Sequence, residues 1–318
     1  MKTILITGGA GFLGSNLIQR LIQDSENRIL CVDNLITGSR RNIEPFEKDY
    51  SDRFVFIEHD VCHPLILDDS EKIDEVYHFA CIASPIKYKK HSIETLMTSI
   101  LGTYNMIHLC IHYQCKMLFT STSEVYGDPL VHPQPEEYYG NVNTVGERSC
   151  YDEGKRACET MIYEYRKTMG LDFKIVRLFN TYGPRMDIHD GRVITNFIDN
   201  IIRNKPIEIF GDGSQTRSFC FVSDMIDGIT RMMNSDEAGP INLGNPHSEF
   251  SLNELVNMYE RIMERKLEVI HLRPTQDDPK VRKPVIDKAR SLLGWEPKVG
   301  LEDGLRETIY YFFSKHLE

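Results

Sequence analysis

An apolar, β-branched run, Thr3–Thr7, breaks directly into three evenly spaced glycines, Gly8, Gly11 and Gly14, and Ser15–Gln23 follows with helical periodicity. A glycine turn wedged between a strand and a helix makes the helix fold back along the strand, which is the first half of a βαβ unit. The alternation continues through the first half of the chain. Arg28–Asp33, Phe54–His59, Glu75–Ala80, Lys116–Ser121 and Phe173–Leu178 read as strands. Ile93–Tyr113 and Tyr151–Met169 carry apolar residues every three or four positions and read as helices. Strands separated by helices form a parallel sheet with right-handed crossovers. Strands that are apolar along their whole length are covered on both faces. The expected fold class is therefore α/β, a doubly wound parallel sheet.

After Phe179 the texture changes. Asn180–Arg185 reads as a loop, Phe210–Gly213 as a turn, and Asp277–Pro284 as a charged loop with two prolines. Ile241–Leu243 looks like one more strand, returning to the sheet after an excursion. With 37 Lys plus Arg against 47 Asp plus Glu the net charge is −10. With no long basic cluster, this balance argues against a nucleic-acid partner, because such binding draws its affinity from phosphate neutralisation. The apolar N-terminal run is too short for a signal peptide, and no stretch reaches the roughly 18 apolar residues needed to cross a bilayer. Eight cysteines without a CxxC pair read as reduced thiols of a cytoplasmic protein.

The glycines at 8, 11 and 14 permit a tight turn, a close approach of backbone to a pyrophosphate, and a helix N-terminus aimed at the negative charge. Asp33 ends the second strand, 19 residues after Gly14. A carboxylate there accepts both ribose hydroxyls of an adenosine and repels a 2′-phosphate, which favours NAD over NADP. Phe12 and Leu13 between the glycines, Asn34 beside Asp33, Asp60 and Val61 after the third strand, and Ala80 after the fourth complete the expected dinucleotide site. Asp60 either reaches the adenine amine or caps its own loop.

Tyr151 and Lys155 lie four residues apart at a helix start, hence on one face. A nearby cation favours the phenolate, so this tyrosine can serve as a general base toward a hydroxyl. Thr120–Thr122 stands at the end of a strand. These features, with the segments Thr120–Asp128 (TSTSEVYGD), Gly146–Arg156 (GERSCYDEGKR), Phe179–Arg185 (FNTYGPR), Asp190–Val193 (DGRV), Gly211–Arg217 (GDGSQTR) and Asp277–Pro284 (DDPKVRKP), resemble the extended short-chain dehydrogenase/reductases. That family comprises NAD-dependent nucleotide-sugar epimerases, dehydratases and decarboxylases, and the segments are most similar to its UDP-glucuronate decarboxylase branch. The resemblance spans essentially the whole chain. It implies a Rossmann-like sheet with a smaller C-terminal substrate-binding domain. The expected division is 1–179 plus about 219–244 for NAD, and 180–218 plus 245–318 for a UDP-sugar. By the same resemblance Tyr151 takes the proton of the sugar C4 hydroxyl while hydride passes to NAD, Lys155 holds the nicotinamide ribose, and Thr122 hydrogen-bonds the hydroxyl. Asn180, Arg192, Phe210, Arg217 and Arg282 face the nucleotide sugar. The family also implies a homodimer built on the two long helices.

A ketone at C4 acidifies the C5 proton and turns a C6 carboxylate into a β-keto acid, so one oxidation opens epimerisation, dehydration or decarboxylation. Glu124, just after the strand carrying Thr122, is placed to move a proton at C5. Ser123 stands where 4,6-dehydratases carry an Asp acid, which disfavours C6 dehydration. Met97–Ser99 stands where the decarboxylases carry Lys-Thr-Asn, and His91-Ser92 and Asn143-Thr144 each replace Asn-Pro. An uncharged Met97 in place of a lysine facing the sugar would leave a substrate carboxylate without that partner. The sequence reading is therefore C4 oxidation of a UDP-hexose or UDP-N-acetylhexosamine with Glu124 acting at C5. Its alternatives are UDP-glucuronate decarboxylation and, more distantly, a non-catalytic sensor of NAD and UDP-sugar. Asp187–Asp190 reads as a solvated loop, with no metal expected.

Overall fold

In the computed structural model, which describes residues 1–68, 70–273 and 281–317, the apolar runs form β1 (Lys2–Thr7), β2 (Asn27–Asp33), β3 (Phe54–Glu58), β4 (Glu75–His78), β5 (Lys116–Thr122) and β6 (Phe173–Leu178). They join the strand Ile241–Leu243 in a seven-stranded sheet. Its order is Ile241–Leu243, β6, β5, β4, β1, β2, β3, and every neighbouring pair is parallel. The late strand thus returns to the sheet edge beside β6. The strand order reverses between β1 and β4, and a crevice opens at their carboxyl ends.

Successive strand residues point to opposite faces, and both faces are covered. Ile4, Ile6, Ile29 and Cys31 pack with Leu17 and Ile18 of α1 (Phe12–Leu21) and with Met225 and Ile229 of the Val222–Met233 helix. Leu5, Leu30 and Val32 point the other way, to Met106 and Ile107 of the Thr103–Tyr113 helix and to Cys158 and Ile162 of the Ser149–Met169 helix. Each such side chain removed from water contributes about 1.5–3 kcal/mol.

The expected helix over Ile93–Tyr113 is not a single α-helix. Ser92–Met97 and Thr103–Tyr113 are joined by a π turn, Thr98–Gly102. Close approach holds that turn in place. A Cβ on Gly102 would lie 2.8 Å from the Val61 side chain, and one on Gly154 would lie 3.1 Å from Ser99. Small two-stranded ladders carry the later chain: Ile207–Phe210 with Val269–Leu272, Thr216–Ser218 with Glu249–Ser251, and Thr181–Tyr182 with Cys220–Phe221. Residues 277–280 of the expected charged loop lie outside the described residues. All eight cysteines are free thiols. Among the described residues no helix is long and apolar enough to cross a membrane.

Candidate active site

A cleft of about 2080 Å³ runs along the carboxyl edge of the sheet and down to the small ladders. Ligand pockets for one small molecule typically measure about 300–1,000 Å³, so this one has room for two nucleotide-sized ligands. Of the residues singled out in the sequence as a binding or catalytic set, all line the cleft except Asp60.

The glycine turn forms one end of the cleft. Gly8 has φ +69, and a Cβ on Gly14 would lie 2.3 Å from the Gly8 carbonyl oxygen. Helix α1 opens at Gly11 with no side-chain cap and no acid in its first turn. Its first N–H groups, at Phe12, Leu13 and Gly14, therefore lack helical partners and lie on the cleft wall. Such a cradle fits a dinucleotide pyrophosphate. Gly14→Ala is expected to weaken NAD binding by about 10–100-fold, the equivalent of roughly 1–3 kcal/mol of overpacking, as read by fluorescence titration. The Asp33 carboxylate accepts the N–H of Ala10 at 3.0 Å and of Leu35 at 2.8 Å. Burial raises its pKa against the pull of those two bonds. Asn34 lines the cleft and its side chain reaches Asp60. Asp60 accepts the Cys62 N–H at 2.9 Å, within its own loop. Val61 beside it does line the cleft, as does Ala80, whose N–H donates to the Thr7 hydroxyl at 3.2 Å.

Tyr151 and Lys155 occupy the first turns of the Ser149–Met169 helix, 8% and 3% exposed. The Tyr151 ring stacks on Tyr88 with centroids 5.4 Å apart and planes 3° from parallel. Thr122 at the end of β5 hydrogen-bonds the Tyr151 hydroxyl and accepts the Glu124 N–H at 3.2 Å. Lys155 Nζ donates to the Thr120 carbonyl at 2.8 Å and sits 4.5 Å from the Phe119 ring centroid. Burial drives the Tyr151 phenol well above its usual range; Cys81 adds to this, while the Thr122 bond and Arg192 oppose it. His78, beneath the pair, bridges the Thr7 and Thr103 hydroxyls at 2.7 and 3.2 Å. Burial first and Lys155 second push its pKa down to about 3, so it is neutral.

A charged cluster adjoins this pair. Glu124 lies in the short turn Ser123–Tyr126, and its carboxylate accepts from Arg148 and, at 3.2 Å, from Arg282. Burial alone would raise its pKa, but Arg282 and Arg148 outweigh burial and hold it below the usual carboxylate range. Arg282, only 2% exposed, also donates to the carbonyls of Ser123 and Gly127. Arg148 was not foreseen from the sequence. Met97 does not line the cleft, so the condition placed on a residue facing the sugar at that position is not met. Its side chain is 39% exposed and off the cleft, whereas Thr98, the first residue of the π turn, lines it.

On the far side, Arg192 pairs with Asp190 at 3.0 Å and donates to the Ala83 carbonyl at 3.1 Å. Arg217 donates to the Thr216 carbonyl at 2.8 Å, and Asn180 and Phe210 line the same wall. The acids of Asp187–Asp190 are occupied by Lys87, Arg192 and Thr195, and no metal-binding group of three occurs among the described residues.

The model of the NAD-dependent epimerase/dehydratase family matches residues 4–244. UDP-glucuronic acid decarboxylase 5 of Arabidopsis thaliana is 49% identical over 95% of this chain and 86% of its own length. UDP-glucuronic acid decarboxylase 1 of Xenopus tropicalis is 47% identical over 100% of this chain and 73% of its own. Among solved structures, the UDP-glucuronic acid 4-epimerase of Bacillus cereus, in complex with UDP-glucuronic acid and NAD, superposes with a TM-score of 0.88 at 30% identity, covering 99% of this chain and 100% of that one.

Proposed function

The chain belongs to the NAD-dependent epimerase/dehydratase family, and from that premise we propose that it decarboxylates UDP-glucuronate to UDP-xylose through transient oxidation at C4. The observation that carries this reading is the pair of guanidiniums, Arg148 and Arg282, gathered on Glu124 beside Tyr151. Two positive charges against one negative leave a surplus that suits a C6 carboxylate.

When bound, NAD supplies a hydride acceptor for C4 and later returns the hydride. Thr122 and Tyr151 hold the C4 hydroxyl, and Tyr151 takes its proton, with Lys155 stabilising the phenolate. The ketone makes the C6 carboxylate a β-keto acid. The C5–C6 bond then breaks, carbon dioxide leaves, its electron pair remains as an enolate across C4–C5, and C5 takes a proton from water. Glu124, held ionised between two guanidiniums, is a weak proton acceptor. That disfavours the Glu124-driven C5 chemistry read from the sequence, whether epimerisation or a double-bond shift. Since Met97 does not line the cleft, the missing lysine no longer argues against a carboxylate substrate. Asn180, Arg192, Arg217 and Phe210 serve the uridine diphosphate. The chain divides into a cofactor part, 1–179 with about 219–244, and a substrate part, 180–218 with 245–318. A sensor would have no use for the buried Thr122–Tyr151–Lys155 set.

The test is product mass from UDP-glucuronate. Loss of carbon dioxide supports the proposal, and an unchanged mass with C5 inverted overturns it. The exposed apolar residues Ile93, Met97, Leu101, Tyr104 and Tyr163 on the two long helical segments support a homodimer. Sedimentation is expected to show a dimer that Leu101→Asp converts to monomer.

A further inference from the structure

Asp152 follows Tyr151 in the same helix, does not line the cleft, and has no part in the chemistry above. It is 6% exposed, and its Oδ1 is buried without a hydrogen-bond partner. Its other oxygen lies 3.8 Å from Arg148 Nε, too far for a hydrogen bond. Arg148 instead donates from Nη2 to Glu124. A buried carboxylate oxygen with no donor is costly as an anion and far cheaper as a neutral acid.

We propose that Asp152 is a positioning residue that sets substrate charge specificity: as a neutral acid beneath Arg148 it leaves that guanidinium to Glu124 and leaves the cluster with the surplus positive charge that selects an anionic sugar. This rests on the decarboxylase reading. With Asp152 neutral, Arg148 and Arg282 against Glu124 give a net charge of +1, matched by one substrate carboxylate. With Asp152 ionised the cluster is already balanced, and Arg148 is drawn away from Glu124. The groups facing Asp152 are Glu124 from the β5 turn, Arg148, Glu153 and Cys150 from its own helical segment, Tyr88 from the Pro85–Lys90 helix, and Arg282. Burial, then Glu124, push its pKa up to about 7, against Arg148 and Arg282. The neutral form therefore prevails below pH 7 and is lost above it. An anionic substrate arriving nearby favours that form further, so its binding above pH 7 draws in a proton.

The experiment is titration calorimetry of the NADH-loaded enzyme, which binds the sugars without oxidising or decarboxylating them, with UDP-glucuronate and with UDP-glucose at pH 8 in buffers of different ionisation enthalpy, together with steady-state turnover in the presence of NAD. Wild type is expected to take up as much as about one proton per UDP-glucuronate and none with UDP-glucose. Its KM for UDP-glucuronate is expected to rise above pH 7, by at most tenfold per pH unit, as for any single titrating proton. In Asp152→Asn, which fixes the neutral shape, both the uptake and the rise in KM disappear. Wild type binding UDP-glucuronate without proton uptake overturns the proposal, as do coincident KM–pH profiles in the two proteins. Wild type that takes up the proton yet releases no carbon dioxide leaves Asp152 as assigned and overturns the decarboxylase reading alone.

Discussion

Tyr151→Phe is expected to lower turnover by about 10²–10⁴-fold, the usual worth of a positioned general base. The substitution removes only the oxygen that Thr122 and Lys155 prepare. The ring stays stacked on Tyr88, and the apolar neighbours Ile82 and Cys81 keep their contacts, so fold and NAD affinity are retained. The readout is carbon dioxide release in steady state together with NAD titration. Burial holds the phenol above its ordinary range. The proton-accepting form must then be made by positive charge, which Lys155 one helical turn on and an oxidised nicotinamide, when bound, would supply. Activity limited by this group rises with pH, because the phenolate accumulates as protons are removed. Turnover retained within a few-fold in Tyr151→Phe would move the C4 base elsewhere in the cleft.

Much of this arrangement was legible because particular residues are dictated by backbone geometry. Gly8 and Gly14 have no room for a Cβ, and a strand ending at Asp33 delivers its carboxylate to the crevice whatever the rest of the chain does. The Tyr151–Lys155 spacing survives for the same reason, since four residues on a helix share a face. The sequence is less telling where one helix face continues across an irregularity. The helical pattern of Ile93–Tyr113 gave no sign of the π turn at Thr98–Gly102, which arises from the close approach of Gly102 to Val61 and of Gly154 to Ser99. With it, Thr98 rather than Met97 lies against the cleft, and an argument built on the charge at 97 loses its footing. Arg148 was missed for a different reason. Its partner Glu124 is 24 residues away in sequence, and only the tertiary fold brings the two together.

Arg282→Met is expected to be the most destabilising change in the site. Arg282 is fully buried, and its fork serves the Ser123 and Gly127 carbonyls and the Glu124 carboxylate together. Removing one partner of a buried ion pair costs about 3–5 kcal/mol, and Arg148, which still holds Glu124, keeps the expected loss near the lower figure. The measurement is denaturant unfolding with NAD absent, so that cofactor binding does not mask the loss. Arg282 is the largest of the influences holding the Glu124 pKa down, so in its absence burial lifts that pKa. The stabilisation from ionised Glu124 is complete above the ordinary carboxylate range and is lost as pH falls through its depressed folded value. The gap between wild type and variant is accordingly widest near neutrality and narrows in acid. In catalysis the KM for UDP-glucuronate rises, while binding of UDP-glucose, whose sugar carries no charge, changes little. Arg282→Lys restores the charge but not the planar fork, so it recovers the preference for the anion better than it recovers stability. A variant that unfolds with wild type and binds both sugars equally well would separate Arg282 from the carboxylate and leave that role to Arg148.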